Sequence, residues 1–325
     1  MSETTYKEAI RLAQAHALAA DASVMLLGED IGAAGGAFKV TDGLMTEFGA
    51  ERVRDTPISE QAIIGAAIGA SLKGFRPVAE LMFADFAGVC FDQIANQLAK
   101  YRYMTGGQVS VPVTVRMANG AGNGFASQHS QSVENWFLNC PGLKIVCPGS
   151  VADAYGLLRS AIDDEDPVLF FEHKGLYNTK AEVGELGEKT PIGQAAVVRE
   201  GDDVTLVATQ LMRHVCEQAA ESLADDGISV ELIDPRTLVP FDYETVSKSV
   251  MKTNRLVVAQ ECSAGGSWGA TVVSRIATND FESLDLPPVL ISAPDTPVPY
   301  AGGLEAQWIP SADRVRAAVL GMDRY

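Results

Sequence analysis

One glutamate in this sequence has the neighbours that a tuned proton donor or acceptor needs. Glu60 ends the segment 55–60 (DTPISE) and precedes a run of small apolar residues at 63–70 (IIGAAIGA). Pro57 favours extended geometry at the residue before it and Ser59 is a good N-cap, so a helix is predicted to begin at Glu60. A carboxylate placed there is a candidate acid–base group. The alternative is a surface glutamate that only complements the helix dipole.

A histidine in a polar loop is the second candidate acid–base group. His129 lies within 127–131 (SQHSQ), where hydroxyl and amide side chains can fix its tautomer and pass protons. The alternative is an ordinary histidine on a surface loop. The other histidines, His16, His173 and His214, lie in or next to predicted helices and strands and are predicted to be structural.

Two glycine-rich loops and one aromatic residue are candidates for contacts with a flat ligand. The loops cover 32–36 (GAAGG) and 119–124 (NGAGNG), and neither has the GxGxxG spacing of a dinucleotide site. They permit close approach of a ligand or partner, or serve only as turns. Phe86 follows a predicted strand, where parallel α/β sheets bind ligands, and is either a stacking surface or a core anchor.

Two common metal-binding signatures are missing from the sequence. No Gly-Asp-Gly turn of the kind that holds a metal diphosphate occurs. The five cysteines form no CxxC pair and share no ligand spacing with the histidines, so we expect no zinc site. Most cysteines lie in apolar runs and are predicted to be reduced core residues.

Apolar strand-like runs that alternate with helical patterns must position these candidates. In the first part of the chain, strands are predicted at 24–27, 78–82, 112–116, 143–146 and 168–171, and helices at 7–19, 60–73, 85–104 and 151–163. The nearly continuous apolar character of several strands indicates a parallel sheet that is covered on both faces.

A polar segment separates this pattern from a second α/β pattern. After it, strands are predicted at 203–208, 229–233, 255–259 and 289–291, and helices at 211–225, 242–252 and 267–279. We therefore predict two α/β domains, at 1–178 and 192–325, joined by a linker at 179–191.

Charge and hydropathy exclude several classes of function. The 325 residues carry 42 acidic and 25 basic side chains, a net charge of −17, which disfavours binding to nucleic acid or to anionic membranes. No apolar run is long enough for a transmembrane span. The polar N-terminal sequence lacks the pattern of a signal peptide, so we expect a cytoplasmic protein.

Taken together, these segments resemble the beta subunit of the thiamine diphosphate-dependent first component of 2-oxo acid dehydrogenase complexes. The resemblance covers nearly the whole chain and rests on 27–30 (LGED), 55–60 (DTPISE), 79–83 (AELMF), 91–93 (FDQ), 128–132 (QHSQS), 140–144 (CPGLK), 250–256 (VMKTNRL) and 296–299 (TPVP). The segments 82–86 (MFADF) and 100–104 (KYRYM) are most similar to the acetoin dehydrogenase branch, and the pyruvate and branched-chain branches are close.

The resemblance implies a fold and a set of site residues. The fold is a transketolase-like pyrimidine-binding domain followed by a transketolase C-terminal-like domain. Glu60 matches the glutamate that hydrogen-bonds the aminopyrimidine ring of thiamine diphosphate. His129 matches a histidine associated with proton handling and acyl transfer to a lipoyl group. Phe86 matches an aromatic position beside the aminopyrimidine, and Glu29 lies in a segment near the cofactor.

The resemblance also implies ions and partners. A structural potassium site built largely from backbone carbonyls would fall on Val113, Ala161, Ile162, Asp164 and Asp166, and Asp166 replaces the asparagine that is common at its position. In the family an alpha subunit binds the diphosphate and Mg²⁺, which accounts for the missing Gly-Asp-Gly turn. An alpha2-beta2 heterotetramer and a lipoyl-bearing acyltransferase component are the implied partners.

We therefore interpret the chain as an enzyme subunit that is catalytically incomplete alone. With its alpha partner it would cleave the C–C bond next to the carbonyl of a 2-oxo acid or acetoin and pass the acyl unit to lipoamide. A self-sufficient enzyme of the transketolase type is disfavoured by the missing metal–diphosphate site. A non-catalytic scaffold subunit is disfavoured because Glu60 and His129 are both present.

Overall fold

The computed structural model describes residues 2–183 and 186–322. Positions 184 and 185 of the predicted linker, residue 1 of the first predicted domain and 323–325 of the second lie outside the described residues. Its contacts divide the chain into two compact units, the first formed by Met1–Asn119 and Trp136–Ile192, the second by Gly120–Asn135 and Gly193–Tyr325. The segment Gly120–Asn135 thus groups with the second unit, and the predicted domain boundaries stay a prediction.

The first unit is built on a parallel sheet. Its strands are β1 (Ser2–Thr5), β2 (Val24–Gly28), β3 (Val53–Asp55), β4 (Arg76–Leu81), β5 (Thr114–Asn119), β6 (Lys144–Val146), β7 (Val168–His173) and β8 (Lys180–Val183). Six of them form parallel pairs in the order β6-β7-β5-β4-β2-β3, and β1 pairs antiparallel with β8. Every residue of β5 and β7 is buried, as expected for strands covered on both faces.

Five α-helices accompany this sheet in the described part of the first unit. They are α1 (Tyr6–Ala20), α2 (Leu44–Phe48), α3 (Glu60–Ser71), α4 (Tyr101–Met104) and α5 (Val151–Asp163). Helix α3 begins at Glu60 as predicted, but the predicted cap is wrong, because the Ser59 side chain makes no capping hydrogen bond.

The single helix predicted at 85–104 is also wrong. This region holds a 3₁₀ helix at Ala84–Gly88, a π-helical turn at Gln93–Leu98 and then α4. Gly88, the last residue of the 3₁₀ helix, and Val89, which follows it, both have low helix propensity, and the apolar period alone did not reveal this interruption.

The second unit is a smaller α/β assembly. Its strands are β9 (Ala196–Arg199), β10 (Val204–Val207), β11 (Val230–Asp234), β12 (Thr237–Val239), β13 (Leu256–Ala259) and β14 (Val289–Ile291), and its helices are α6 (Gln210–Asp225), α7 (Tyr243–Thr253), α8 (Trp268–Asn279), α9 (Gly302–Trp308) and α10 (Ala312–Gly321). The sheet order is β14-β13-β10-β11-β9, parallel except for β9.

The predicted strands of both units, and the predicted helices other than 85–104, begin and end within three residues of the observed elements. Two α/β units with mainly parallel sheets confirm the predicted fold class.

Candidate active site

Three predicted cofactor residues follow the carboxyl ends of three adjacent parallel strands. Glu29 comes directly after β2, Glu60 comes after β3, and Phe86 comes after β4. Because β4, β2 and β3 are neighbours in the sheet, their carboxyl ends share one edge. Open α/β sheets bind ligands at this edge, so the topology brings the three residues to the same side of the first unit.

Glu60 is a buried acid at the start of α3, with 9% of its surface exposed. None of the described residues forms a salt bridge or side-chain hydrogen bond with its carboxylate. Burial, and secondarily the charge of Glu60, raise the pKa of the Cys90 thiol to about 12, so the cysteine next to it stays a neutral thiol. The hydroxyl of Thr56, four residues earlier, is buried without a hydrogen-bond partner in the described part of the chain.

Glu29 and Glu60 are close enough to interact electrostatically. Partial burial raises the pKa of Glu29, and the charges of Asp30 and Glu60 raise it further. The strand edge therefore carries two carboxylates whose negative charges oppose each other. Such a site favours a ligand that brings a proton or a positive charge to one of them.

The first glycine-rich loop is held by a carboxylate at the end of β3. Asp55 accepts hydrogen bonds from the backbone amides of Gly32 (2.6 Å) and Ala33 (3.4 Å). A Cβ atom at Gly32 would lie 2.6 Å from Oδ2 of Asp55, so a larger residue there would displace the carboxylate that holds the loop. Gly35 and Gly36 have φ values of 73° and 79°, which side chains rarely adopt. Asp55 and the two glycines therefore determine the conformation of the loop, and its contact with a ligand or partner stays a prediction.

Phe86 belongs to a group of contacting aromatic rings. Its centroid lies 5.6 Å from that of Phe83 in an edge-to-face arrangement, and Phe83 lies 5.6 Å from Phe38 in the same way. Phe38 packs at 4.9 Å on Tyr177. Phe86 is half-buried, whereas Tyr177 is fully buried, so the group runs from the core to the strand edge. A half-buried ring anchored in this way can both pack and present a face to a planar ligand.

A buried charge network lies beneath the strand ends. Arg116 donates two hydrogen bonds to Glu172 (2.6 and 2.8 Å), one to Glu80 (2.7 Å) and one to the side-chain oxygen of Gln14 (3.2 Å). Burial alone would lower the pKa of Arg116, but the charges of Glu172 and Glu80 raise it above its usual value. The arginine therefore stays charged and ties three strands together. The sequence contains no local signal for this network, since its members are distant in the chain.

His129 lies in the second unit, on the loop Gly120–Asn135 that follows β5. It ends a short 3₁₀ helix, Ser127–His129, and its side chain is half-buried. Ala126, just before this helix, has a φ of 63°, an uncommon value for alanine. Glu29, Glu60 and Phe86 belong to the first unit, whereas His129 belongs to the second.

The ring nitrogens of the three other histidines contact nearby residues within their own unit. Nδ1 of His173 accepts from the amide of Gly175 (3.1 Å), Nδ1 of His16 contacts the Tyr155 hydroxyl (2.6 Å), and Nδ1 of His214 lies 3.3 Å from Glu217. These contacts agree with the structural roles predicted for them.

Two of the five residues predicted to hold potassium have backbone carbonyls that bind one arginine of the first unit. The carbonyls of Ile162 and Asp164 accept hydrogen bonds from the same guanidinium nitrogen of Arg76, at 3.3 and 3.1 Å. The carbonyl of Ala161 accepts from the Asp164 amide (3.3 Å), and that of Val113 from a neighbouring strand. Carbonyl oxygens have two lone pairs, so the donor type fits a hard cation even with these bonds in place.

The two aspartates of this set are paired with cationic side chains. Asp164 accepts hydrogen bonds from Lys144 (2.6 and 2.7 Å) and from the Asp166 amide (2.9 Å). Asp166 pairs with Arg102 and with Lys144. Separately, within residues 2–183 and 186–322 no cluster of three or more His, Cys, Asp or Glu side chains is arranged to hold a metal ion.

Comparison with known proteins assigns the fold. Residues 2–180 match the family "Transketolase, pyrimidine binding domain", and residues 193–315 match "Transketolase, C-terminal domain". A solved structure, "Split gene transketolase, inactive beta4 tetramer", superposes with a TM-score of 0.80 at 25% identity, over 98% of this chain and 97% of that one. The two units and the strand-edge site therefore define a protein of the transketolase class.

The sequence relatives narrow this class. The chain is 46% identical to the acetoin:2,6-dichlorophenolindophenol oxidoreductase subunit beta of Bacillus subtilis (strain 168), over 96% of this chain and 95% of that one. It is 44% identical to the 2-oxoisovalerate dehydrogenase subunit beta of the same organism, over 98% of both chains. It is also 44% identical to the pyruvate dehydrogenase E1 component subunit beta of Leifsonia xyli subsp. xyli (strain CTCB07), over 93% and 90%.

The chain belongs to the family of transketolase-type beta subunits of acetoin and 2-oxo acid dehydrogenases. The resemblance seen in the sequence is thereby confirmed. None of the helices in the described part of the chain has the length and apolar character needed to cross a membrane.

Proposed function

We propose that this chain is the beta half of a thiamine diphosphate-dependent enzyme that cleaves the C–C bond next to the carbonyl of acetoin or a 2-oxo acid. The observation that carries the proposal is Glu60, a buried carboxylate without a salt bridge to the described residues, at the strand edge where such sheets bind ligands. A buried charged group is normally paired with another polar or charged group. We infer that a bound ligand provides this partner for Glu60.

The side chains at this edge fit the aminopyrimidine end of the cofactor. When bound, thiamine diphosphate supplies the ring that stabilises the carbanion formed on bond cleavage. Glu60 would hydrogen-bond a ring nitrogen of the aminopyrimidine and exchange a proton with it. Phe86 would stack on the ring, and Glu29 would lie nearby.

His129 is proposed as the second catalytic residue. It would handle protons during transfer of the acyl unit to a lipoyl group, since histidine is the side chain that most often serves as a general acid or base. For a 2-oxo acid the group lost on cleavage is CO₂, and for acetoin it is acetaldehyde. Acetoin is favoured as the substrate for two reasons. The segments 82–86 and 100–104 are most similar to the acetoin dehydrogenase branch, and one of the sequence relatives is named as an acetoin oxidoreductase subunit.

An alpha subunit is proposed to complete the site by holding the diphosphate and Mg²⁺, in an alpha2-beta2 heterotetramer. The absence of a Gly-Asp-Gly turn supports a second chain. The first unit also exposes apolar side chains that a partner would cover, namely Ile58 (76%), Val89 (62%), Tyr103 (88%) and Met104 (75%). The acidic chain would in turn attract a basic region of a lipoyl-bearing acyltransferase component.

Potassium is proposed to bind at the carbonyl cluster around Ile162 and Asp164. It would act on stability, so the midpoint of thermal unfolding should rise in K⁺ relative to choline at equal ionic strength. The domain boundaries at 178 and 192 are likewise proposed, and limited proteolysis within 179–191 would support them.

The test of the function is reconstitution with an alpha subunit from the same organism. Turnover is measured with acetoin, pyruvate and branched-chain 2-oxo acids, using 2,6-dichlorophenolindophenol or lipoamide as acceptor. We expect turnover of at least one substrate that requires thiamine diphosphate, Mg²⁺ and both chains. Full activity of this chain alone would favour a self-sufficient enzyme, and no activity with any substrate would favour a scaffold.

A further inference from the structure

The loop that carries His129 is fastened by two buried glutamates of the second unit. The Glu305 carboxylate accepts hydrogen bonds from the backbone amides of Gly122 (2.8 Å) and Gly124 (3.0 Å), one on each oxygen. Glu261 accepts from the amide of Ala121 (2.7 Å). Both carboxylates are buried, with 3% of Glu305 and 7% of Glu261 exposed.

The far side of the loop is held in the same way. Glu261 also accepts a hydrogen bond from the Ser132 hydroxyl (2.9 Å), three residues after His129. The Ser127 hydroxyl donates to the carbonyl of Val298 (2.6 Å). These contacts bracket the short 3₁₀ helix that ends at His129.

The loop needs such fastening because one of its residues is held in a strained conformation. Ala126 has a φ of 63° and a ψ of −176°, a region that only glycine adopts readily, whereas Gly122 and Gly124 adopt their φ values of 98° and 71° without strain. A strained conformation persists only where the surrounding structure determines it. Buried carboxylates that accept bonds from backbone amides form strong charge-assisted hydrogen bonds, which suit this purpose.

We infer that Glu305 and Glu261 are positioning residues that fix the imidazole of His129 for the reaction. This inference rests on the proposed function of His129. Glu305 contributes most to this positioning, since both of its carboxylate oxygens accept hydrogen bonds from the loop, from the Gly122 and Gly124 amides. In Glu305→Gln the side-chain amide would face a backbone amide, donor against donor, so one of the two bonds is lost while size is kept.

The first test is a double-mutant cycle in the enzyme reconstituted with its alpha partner. We expect Glu305→Gln to lower lipoamide-dependent turnover by about tenfold to about a hundredfold, because small misplacements of a catalytic group cost this much. In a His129→Ala background the same substitution should change turnover by less than about twofold, since residues that act as one unit are not additive. Equal losses in both backgrounds, or no loss in His129→Ala alone, would overturn the inference.

The second test does not depend on activity. Amide hydrogen exchange of residues 120–132 in the assembled enzyme should become faster in Glu305→Gln and in Glu261→Gln. It should stay unchanged in Asp203→Asn, a control that alters a carboxylate bonded to the Ser229 amide (2.6 Å) elsewhere in the same unit. Thermal unfolding establishes that each variant is folded.

The two proposals fail in different ways. Unchanged exchange of residues 120–132 in Glu305→Gln would reject the positioning role, whatever the activity. An unaltered enzyme that turns over no substrate would instead reject the proposed function, while the exchange experiment would still report on the loop.

Discussion

Arg116 and Glu80 face each other directly across two neighbouring parallel strands, with their side chains 2.7 Å apart and almost fully buried. Glu80 lies against Gly28, the last residue of β2, because a Cβ there would be 3.0 Å from the Glu80 Cβ. The network centred on Arg116 therefore supports the strand end from which Glu29 emerges.

Replacing Arg116 by methionine should destabilise the protein strongly. The substitution leaves Glu80 and Glu172 buried without their cation, which costs about 3–5 kcal/mol. Urea unfolding measures the change. The control is Arg54→Met, which breaks an exposed pair with Glu51 and should cost at most about 1 kcal/mol. Similar losses in both variants would show that the network does not stabilise the fold.

Replacing Gly32 by alanine should disturb the loop beside Glu29. The new Cβ would lie 2.6 Å from Oδ2 of Asp55 and 2.7 Å from the Met45 sulfur. We expect a loss of about 1–3 kcal/mol on urea unfolding and weaker apparent affinity for thiamine diphosphate in the assembled enzyme. Gly265→Ala, where no atom lies within 4 Å, is the control. Unchanged cofactor affinity in Gly32→Ala would separate this loop from the site.

Stability should depend on pH through Asp242, which caps α7. Partial burial alone would raise the pKa of Asp242, but hydrogen bonds from the Ala195 amide and from Thr245 lower it below its ordinary value. A lowered folded-state pKa contributes stability above the ordinary pKa, and this contribution is lost as pH falls through the folded-state value.

Asp242→Asn should therefore cost about 1–3 kcal/mol at pH 7, because asparagine caps as well as aspartate but its NH2 group cannot accept from the Ala195 amide, and the difference from the unaltered chain should shrink below about pH 4. Urea unfolding at a series of pH values provides the measurement. A difference that stays constant down to pH 3 would mean that the charge of Asp242 contributes nothing. Asp225→Asn, at an exposed position, should have little effect throughout.

The coupling of the two acids at the strand edge can be measured directly. Glu60→Gln removes a negative charge that raises the pKa of Glu29, so that pKa should fall. Carbon-13 NMR of the Glu29 carboxyl follows the titration. Asp30→Asn should shift the Glu29 pKa in the same direction, since Asp30 acts in the same way. A Glu29 pKa that is unchanged in Glu60→Gln would mean that the two acids do not interact.

Local features were predictable from the sequence because short-range chemistry determines them. The start of α3 at Glu60 followed from Pro57 and the polar–apolar switch, although the Ser59 cap did not form. The prediction of a single helix at 85–104 was wrong because apolar spacing does not distinguish one helix from three short helical segments.

Long-range features gave no comparable signal. Glu305 lies 183 residues from the Gly122 amide that it accepts from, and Arg116 lies 56 residues from Glu172. No spacing rule relates such pairs, and only the folded chain brings them together. The grouping of Gly120–Asn135 with the second unit likewise depends on contacts between residues that are distant in the chain.

Glu60 is proposed to hydrogen-bond a cofactor, a role that goes beyond that of an acid in the first turn of a helix. The most direct test of this role compares thiamine diphosphate-dependent turnover of Glu60→Gln and Glu47→Gln in the enzyme reconstituted with its alpha partner. Glu47 is an exposed acid in the first turn of α2, so it reproduces the alternative role. We expect Glu60→Gln to lose about 10²–10⁴-fold in turnover and Glu47→Gln to keep full activity. Unaltered turnover in Glu60→Gln would contradict the account.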